Sequence, residues 1–247
     1  MINTRSVQTN ASEIKFVVEA QLAERIRTWA RSQLEPDPHG GGSFGDEYTT
    51  TTIYFDNAAR DVFYQRGSYG RAKYRIRRYE QSDFVVLERK LRRPGTLIKR
   101  RTQVSVDALA RLDCLESDEH WPGEWFQRRV FMRGLEPVCQ LTYRRTARMI
   151  TTHDGTVRLT LDASIQGAAV SQVQFTAHPG TDVLLDRLIL EMKFRGPLPT
   201  VFKRLIEEFC LNPLSVSKYR LGMGTLEGLT PGGALLPPVA IERRARA

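Results

Sequence analysis

The feature that most constrains this chain is a charged face that recurs on nearly every candidate strand. The stretch KYRIRRY, Lys73 to Tyr79, alternates cation and apolar side chain with a period of two, the mark of a β-strand. Lys73, Arg75 and Arg77 share one face; Tyr74 and Ile76 share the other. The pattern repeats along the chain. Glu13 and Lys15 oppose Ile14 and Phe16. Glu88 and Lys90 oppose Val85 and Leu87. Lys99 and Arg101 lie on a further strand, and Arg145 is in phase with Tyr143. Arg158, Thr160 and Asp162 alternate with Val157, Leu159 and Leu161. Glu191 and Lys193 alternate with Leu190, Met192 and Phe194.

Eight strands are expected, over 12–18, 48–56, 71–79, 84–91, 98–106, 138–150, 156–165 and 188–195. His153-Asp154-Gly155 reads as the turn between the sixth and seventh. Amphipathic helices are expected over 19–34 and 199–211, with a helical region over 107–135 and a Gly-rich loop over 36–47. Short links between successive strands predict an α+β fold built on a closed eight-stranded antiparallel barrel, since closure removes exposed edges. The helices carry apolar stripes that need an apolar partner, and Leu159, Leu161, Leu190 and Met192 supply one on the outside. The charged faces are then left to line the lumen. One domain is expected over 1–226, and the Pro/Gly-rich stretch 227–247 reads as a disordered tail.

Charge supports the inward reading. The net charge of +9 is concentrated: residues 66–101 hold thirteen Lys/Arg against three Asp/Glu. A lumen so lined repels itself when empty, and burying unpaired charge is costly. A bound polyanion and the interleaved carboxylates offset that cost. Little aromatic interleaving is available for base stacking, so nucleic acid is not the expected partner.

In order, the pieces EIKF, TIYFDN, KYRIRRY, VLERK, IKRRTQVS, TYRR, VRLTLD, LEMKF and SVSKYRLG run from Glu13 to Leu221. Together they resemble the VTC (vacuolar transporter chaperone) domain family of polyphosphate polymerases, within the triphosphate tunnel metalloenzymes. The resemblance implies a tunnel enzyme moving the γ-phosphate of a nucleoside triphosphate such as ATP onto inorganic polyphosphate. It implies that Lys15, Arg75, Arg77, Lys90, Arg145 and Arg158 hold phosphates, and that Lys73, Lys99, Arg101, Lys193, Ser217 and Lys218 extend the track and close one end. It implies Mn²⁺ or Mg²⁺ on Glu191, with Glu13, Glu88 and Asp162 as further carboxylates. Phosphoryl transfer suits such a set, because it needs positioning and charge neutralisation rather than a protein nucleophile. Many hydrolytic relatives place two alternating glutamates before the lysine; here Ala11 takes the first place. That departure favours a polymerase over a tripolyphosphate or nucleoside triphosphate hydrolase on the same fold, and Glu191 with the full cation set favours an enzyme over a polyphosphate binder without activity.

Other residues invite less. Cys114, Cys139 and Cys210 fit neither a zinc pattern nor a disulfide framework. The four histidines are dispersed, and the GGG at Gly40 follows no strand and opens no helix. Tyr54 and Asp56 could reach a tunnel mouth or serve a turn. The stretch MINTRSVQTN has no hydrophobic signal core, and no apolar run reaches the roughly 18 residues of a membrane span. A cytoplasmic protein without a transmembrane segment is therefore expected.

Overall fold

The structure, a computed structural model, describes residues 3–9, 11–94, 96–114, 118–153, 155–178 and 180–229. The chain opens with β1 (Asn3–Thr9), β2 (Ala11–Glu19) and the helix α1 (Ala20–Gln33). A two-residue strand β3 (Glu35–Pro36) precedes β4 (Glu47–Asp56) and the short helix α2 (Asp61–Tyr64). KYRIRRY lies in β5 (Ala72–Tyr79), followed by β6 (Phe84–Arg93) and β7 (Thr96–Ser105). The expected helical region resolves into a 3₁₀ turn at Asp107–Asp113 and α3 (Glu124–Met132). Two long strands, β8 (Glu136–Thr152) and β9 (Gly155–Ala169), lead through β10 (Thr181–Asp182) to β11 (Arg187–Arg195). The helices α4 (Thr200–Glu208) and α5 (Lys218–Glu227) end the described chain. Asp154 of the expected turn and residues 230–247 of the expected tail lie outside the described residues.

The strands pair antiparallel along one path, β1-β7-β6-β5-β4-β8-β9-β11-β2, with β3 and β10 added to its side. Register shifts at Tyr54/Phe55 and Thr142/Arg144 place an extra residue on β8 and on β9 respectively, and bulges increase local twist and curl. The curl brings β2 and β11 across to β5 and β6: Lys90 on β6 lies 3.4 Å from Glu13 on β2. The expected closed eight-stranded barrel is corrected on one point. Among the described residues no hydrogen-bond ladder joins the two ends of the path, β1 and β2. These two end strands lie next to each other in the sequence. β1 itself was not expected, because NTRSVQT has no apolar face.

The charged side of this curled sheet is concave and the apolar side carries the helices. Tyr74, Ile76, Val85 and Leu87 are buried with Trp125 and Phe126 of α3. Phe16, Leu159, Leu161, Leu190 and Met192 are buried under Ala23, Ile26 and Ala30 of α1 and Phe202 and Leu205 of α4. Each such apolar side chain contributes about 1.5–3 kcal/mol when fully buried, which fixes the faces. Tyr143, Ile189, Val216 and Leu221 form a smaller cluster, of which Tyr143 also lines the concave side. Among the described residues no helix is long and apolar enough to cross a membrane.

Candidate functional site

Ladder register places the charges in rows. Lys99, Lys90 and Lys73 are successive cross-strand partners on β7, β6 and β5; Arg101, Glu88, Arg75 and Tyr54 form the next row. On the opposite wall, Lys15 pairs with Glu191 and Glu13 with Lys193. Directly opposed residues share a face, so these rows meet across the concavity. They enclose about 580 Å³ of space not filled by atoms, part of it open solvent. Eleven of the sixteen site residues expected from sequence line it: Lys15, Lys73, Arg75, Arg77, Lys90, Arg145, Lys193, Ser217, Lys218, Glu13 and Glu191. Tyr54, Tyr143 and Tyr219 complete the wall.

The five others stand around it. Lys99 and Arg101 continue the concave face beyond Lys90 and Glu88. Glu88 is 2% exposed; one oxygen accepts from Arg75 and the other from Arg101 Nε at 2.7 Å. Asp162 is fully buried, takes Arg145 side-on at 2.6 and 2.8 Å, and takes Lys218 at 2.6 Å. Both carboxylates are therefore counter-charges to cavity cations. Arg158 shares the face through its partner Lys193, but Asp37 holds its Nε at 2.7 Å and Tyr48 accepts from it at 2.8 Å. The clamp turns Arg158 away from the cavity.

Electrostatics inside the cavity are strongly coupled. Glu191 pairs with Lys193 and lies 3.7 Å from Lys15. Burial pushes its pKa up, but Lys193, Lys218 and Lys15 pull harder and hold it well below the ordinary carboxylate range. Glu13 is down at about 2: burial and Glu191 raise it, and Lys15, Lys90 and Lys193 more than reverse that. Lys218 is held above the lysine range by Asp162 and Glu191, against its own burial. Lys73 goes the other way. Burial first, then Lys15, Lys90, Arg75 and Arg92, bring it down to about 7. Its Nζ donates to Ser217 Oγ at 3.0 Å.

Tyr143 was the main omission of the sequence reading. Its hydroxyl lies 3.5 Å from both Arg77 and Arg145, and those guanidiniums outweigh burial to lower its pKa. Its signal was present, since it is in phase with Arg145, but a buried aromatic reads first as core. Asp56 proves structural: its carboxylate accepts from the backbone N–H of Val62 and Phe63 and from Tyr219 Oη. No three His, Cys, Asp or Glu side chains are grouped for a metal among the described residues.

The family model of the VTC domain matches residues 10–227, which takes in every strand except β1. The chain belongs to the VTC domain family. No curated protein matches it in sequence. The fold of this VTC domain is similar to that of a Bacillus halodurans protein proposed to be an adenylate cyclase. The two are 14% identical, with 84% of this chain and 95% of that chain covered and a TM-score of 0.50. A proposed adenylyl cyclase of Hippeastrum with a dominant triphosphatase activity is 16% identical, with 86% and 95% covered and a TM-score of 0.47. A Pyrococcus horikoshii protein is 14% identical, with 89% and 99% covered and a TM-score of 0.47. The likeness to the Bacillus protein is one of fold: the VTC domain presents its cations on the concave side of a curled antiparallel sheet.

Proposed function

We propose that this VTC domain is a polyphosphate polymerase that moves the γ-phosphate of ATP onto a growing polyphosphate chain inside the cationic cavity. The observation that carries the reading is convergence: five lysines and three arginines face one space with Glu13 and Glu191. The planar forks of Arg75, Arg77 and Arg145 suit phosphate oxygens, and the lysines act as point charges along the track. Transfer has a loose transition state with charge spread over the moving phosphoryl group, so fixed cations on several sides are what it needs. Arg75 is oriented by Glu88 and Arg145 by Asp162, which preorganises both forks.

The family implies a divalent cation, Mn²⁺ or Mg²⁺, and the donor set fits one that arrives with the substrate. Mg²⁺ is commonly held by one or two carboxylates plus substrate phosphates, and Glu191 with Glu13 supplies that number. Bound there, the ion would neutralise phosphate charge during transfer. The lysines that now hold these carboxylates would turn to the phosphates. The scarcity of carboxylates is also what favours the polymerase over a hydrolase that activates water on metal.

Incubation with ATP and Mn²⁺ tests the reading. Long polyphosphate on a gel supports it; release of free phosphate alone points to a hydrolase, and neither product to a binder.

A further inference from the structure

Among the described residues lining the cavity, Ser217 carries the one aliphatic hydroxyl, and it is placed as a nucleophile would be. Lys73 Nζ lies 3.0 Å from its Oγ. Lys15, Lys90, Lys193 and Lys218 each pair with a carboxylate, whereas among the described residues Lys73 has none within ion-pair distance. Lys73 instead faces cations: Lys15 from β2, Lys90 and Arg92 from β6, and Arg75 on its own strand. A lysine so surrounded gives up its proton readily, and its pKa near 7 agrees. Once neutral, the amine can accept the hydroxyl proton through the same contact by which it now donates. Ser217 is also the N-cap of α5, where its Oγ accepts from Arg220 N–H at 3.5 Å. The positive end of a helix favours a phosphate there, and Lys218 and Arg145 flank the same space.

We propose that Ser217 is the starting acceptor of the chain, phosphorylated from ATP with Lys73 as general base. The inference rests on the polymerase reading and supplies the primer which that reading leaves open. Ser217 Oγ attacks the γ-phosphorus; the Oγ–P bond forms as the bond to the β,γ-bridging oxygen breaks. ADP leaves, and the hydroxyl proton passes to Nζ of neutral Lys73. The phosphoserine oxygens then stand in the cavity as the acceptor for the next γ-phosphate. This is the serine–base arrangement of nucleophilic catalysis with phosphorus in place of carbon.

The test is the mass of the full-length protein after incubation with ATP and Mn²⁺ without added primer, followed by fragmentation to locate the phosphate. One or more phosphates on Ser217 are expected. Ser217→Asn keeps a side-chain oxygen for the helix cap and removes the nucleophile; its loss of unprimed synthesis should exceed any loss in extending added tripolyphosphate. Lys73→Arg keeps a cation that cannot act as base and should slow unprimed synthesis at least about tenfold. Unmodified Ser217 in a protein that makes polyphosphate without primer would overturn the proposal, as would unprimed synthesis by Ser217→Asn at the wild-type rate. Failure of the wild type to extend added tripolyphosphate would strike at the polymerase reading, while the mass of Ser217 still decides the priming step.

Discussion

At the residue scale the cavity works by opposing charges held close. Glu191 is 5% exposed and neutralises Lys193 and Lys15. Glu191→Gln keeps the shape and removes the anion. We expect it to abolish ATP turnover while leaving tripolyphosphate binding intact or tighter, since one negative charge leaves a site built for anions. Its melting temperature should fall without ligand and recover when tripolyphosphate replaces the lost counter-charge; a stable and fully active variant would remove Glu191 from the metal. Lys73 sets a pH dependence whose sign follows from its lowered pKa. Below about 7 it is charged and above that it is neutral, and Lys99, lowered to about 8 by burial, Arg101 and Lys193, follows. A bound anion favours the charged lysines, so affinity for sulfate should weaken as pH rises through 7 to 8. Titration calorimetry in that range should show a shallower decline for Lys73→Arg than for wild type. An identical decline in both proteins would remove Lys73 as the titrating group.

At the scale of elements, α1 is fastened to the convex side of β8 by a buried polar network. Asp46 is fully buried, accepts two bonds from Arg31 at 3.0 and 3.1 Å, and takes Arg148 at 2.9 Å. Arg148 also donates to Leu34 O, a carbonyl left open where α1 ends. Asp46→Ala would leave Arg148 without its counter-charge and Arg31 with Glu47 alone at 3.4 Å, and breaking such a buried set costs about 3–5 kcal/mol. Urea unfolding should show that loss, with ATP turnover by the folded variant retained, because the network lies on the face away from the cavity. The faces of these elements were legible in the sequence because a strand alternates and a helix does not: Lys73, Arg75 and Arg77 against Tyr74 and Ile76 needs no structure to read. α5 was not legible. Gly222 and Gly224 lower its helix propensity, yet a Cβ on Gly222 would stand 2.6 Å from Leu141 Cδ2, so β8 requires glycine there. The contact between Arg158 and Asp37 was not legible either, because Asp37 sits 121 residues away in a loop. Tyr143 was hidden by the ordinary expectation that a buried ring is core.

At the scale of the whole molecule, the fold inverts the usual sheet: apolar outside under helices, charged within. The inversion holds because α1, α3 and α4 cover the convex face and carboxylates interleave the concave cations. Closure by a ladder was expected, and among the described residues no ladder joins β1 to β2, a pairing that alternation alone could not reveal. An interior with so many cations is balanced only in part by Glu13, Glu88, Asp162 and Glu191, and the central claim is that a polyphosphate anion completes the balance. Calorimetric titration of tripolyphosphate into the wild type and Arg75→Ala tests this most directly. The account predicts one tight site per chain, a raised melting temperature, and at least about tenfold weaker binding in Arg75→Ala, the loss of one charge-assisted hydrogen-bonding group. Absence of binding by the wild type, or equal affinity in the two proteins, would contradict it.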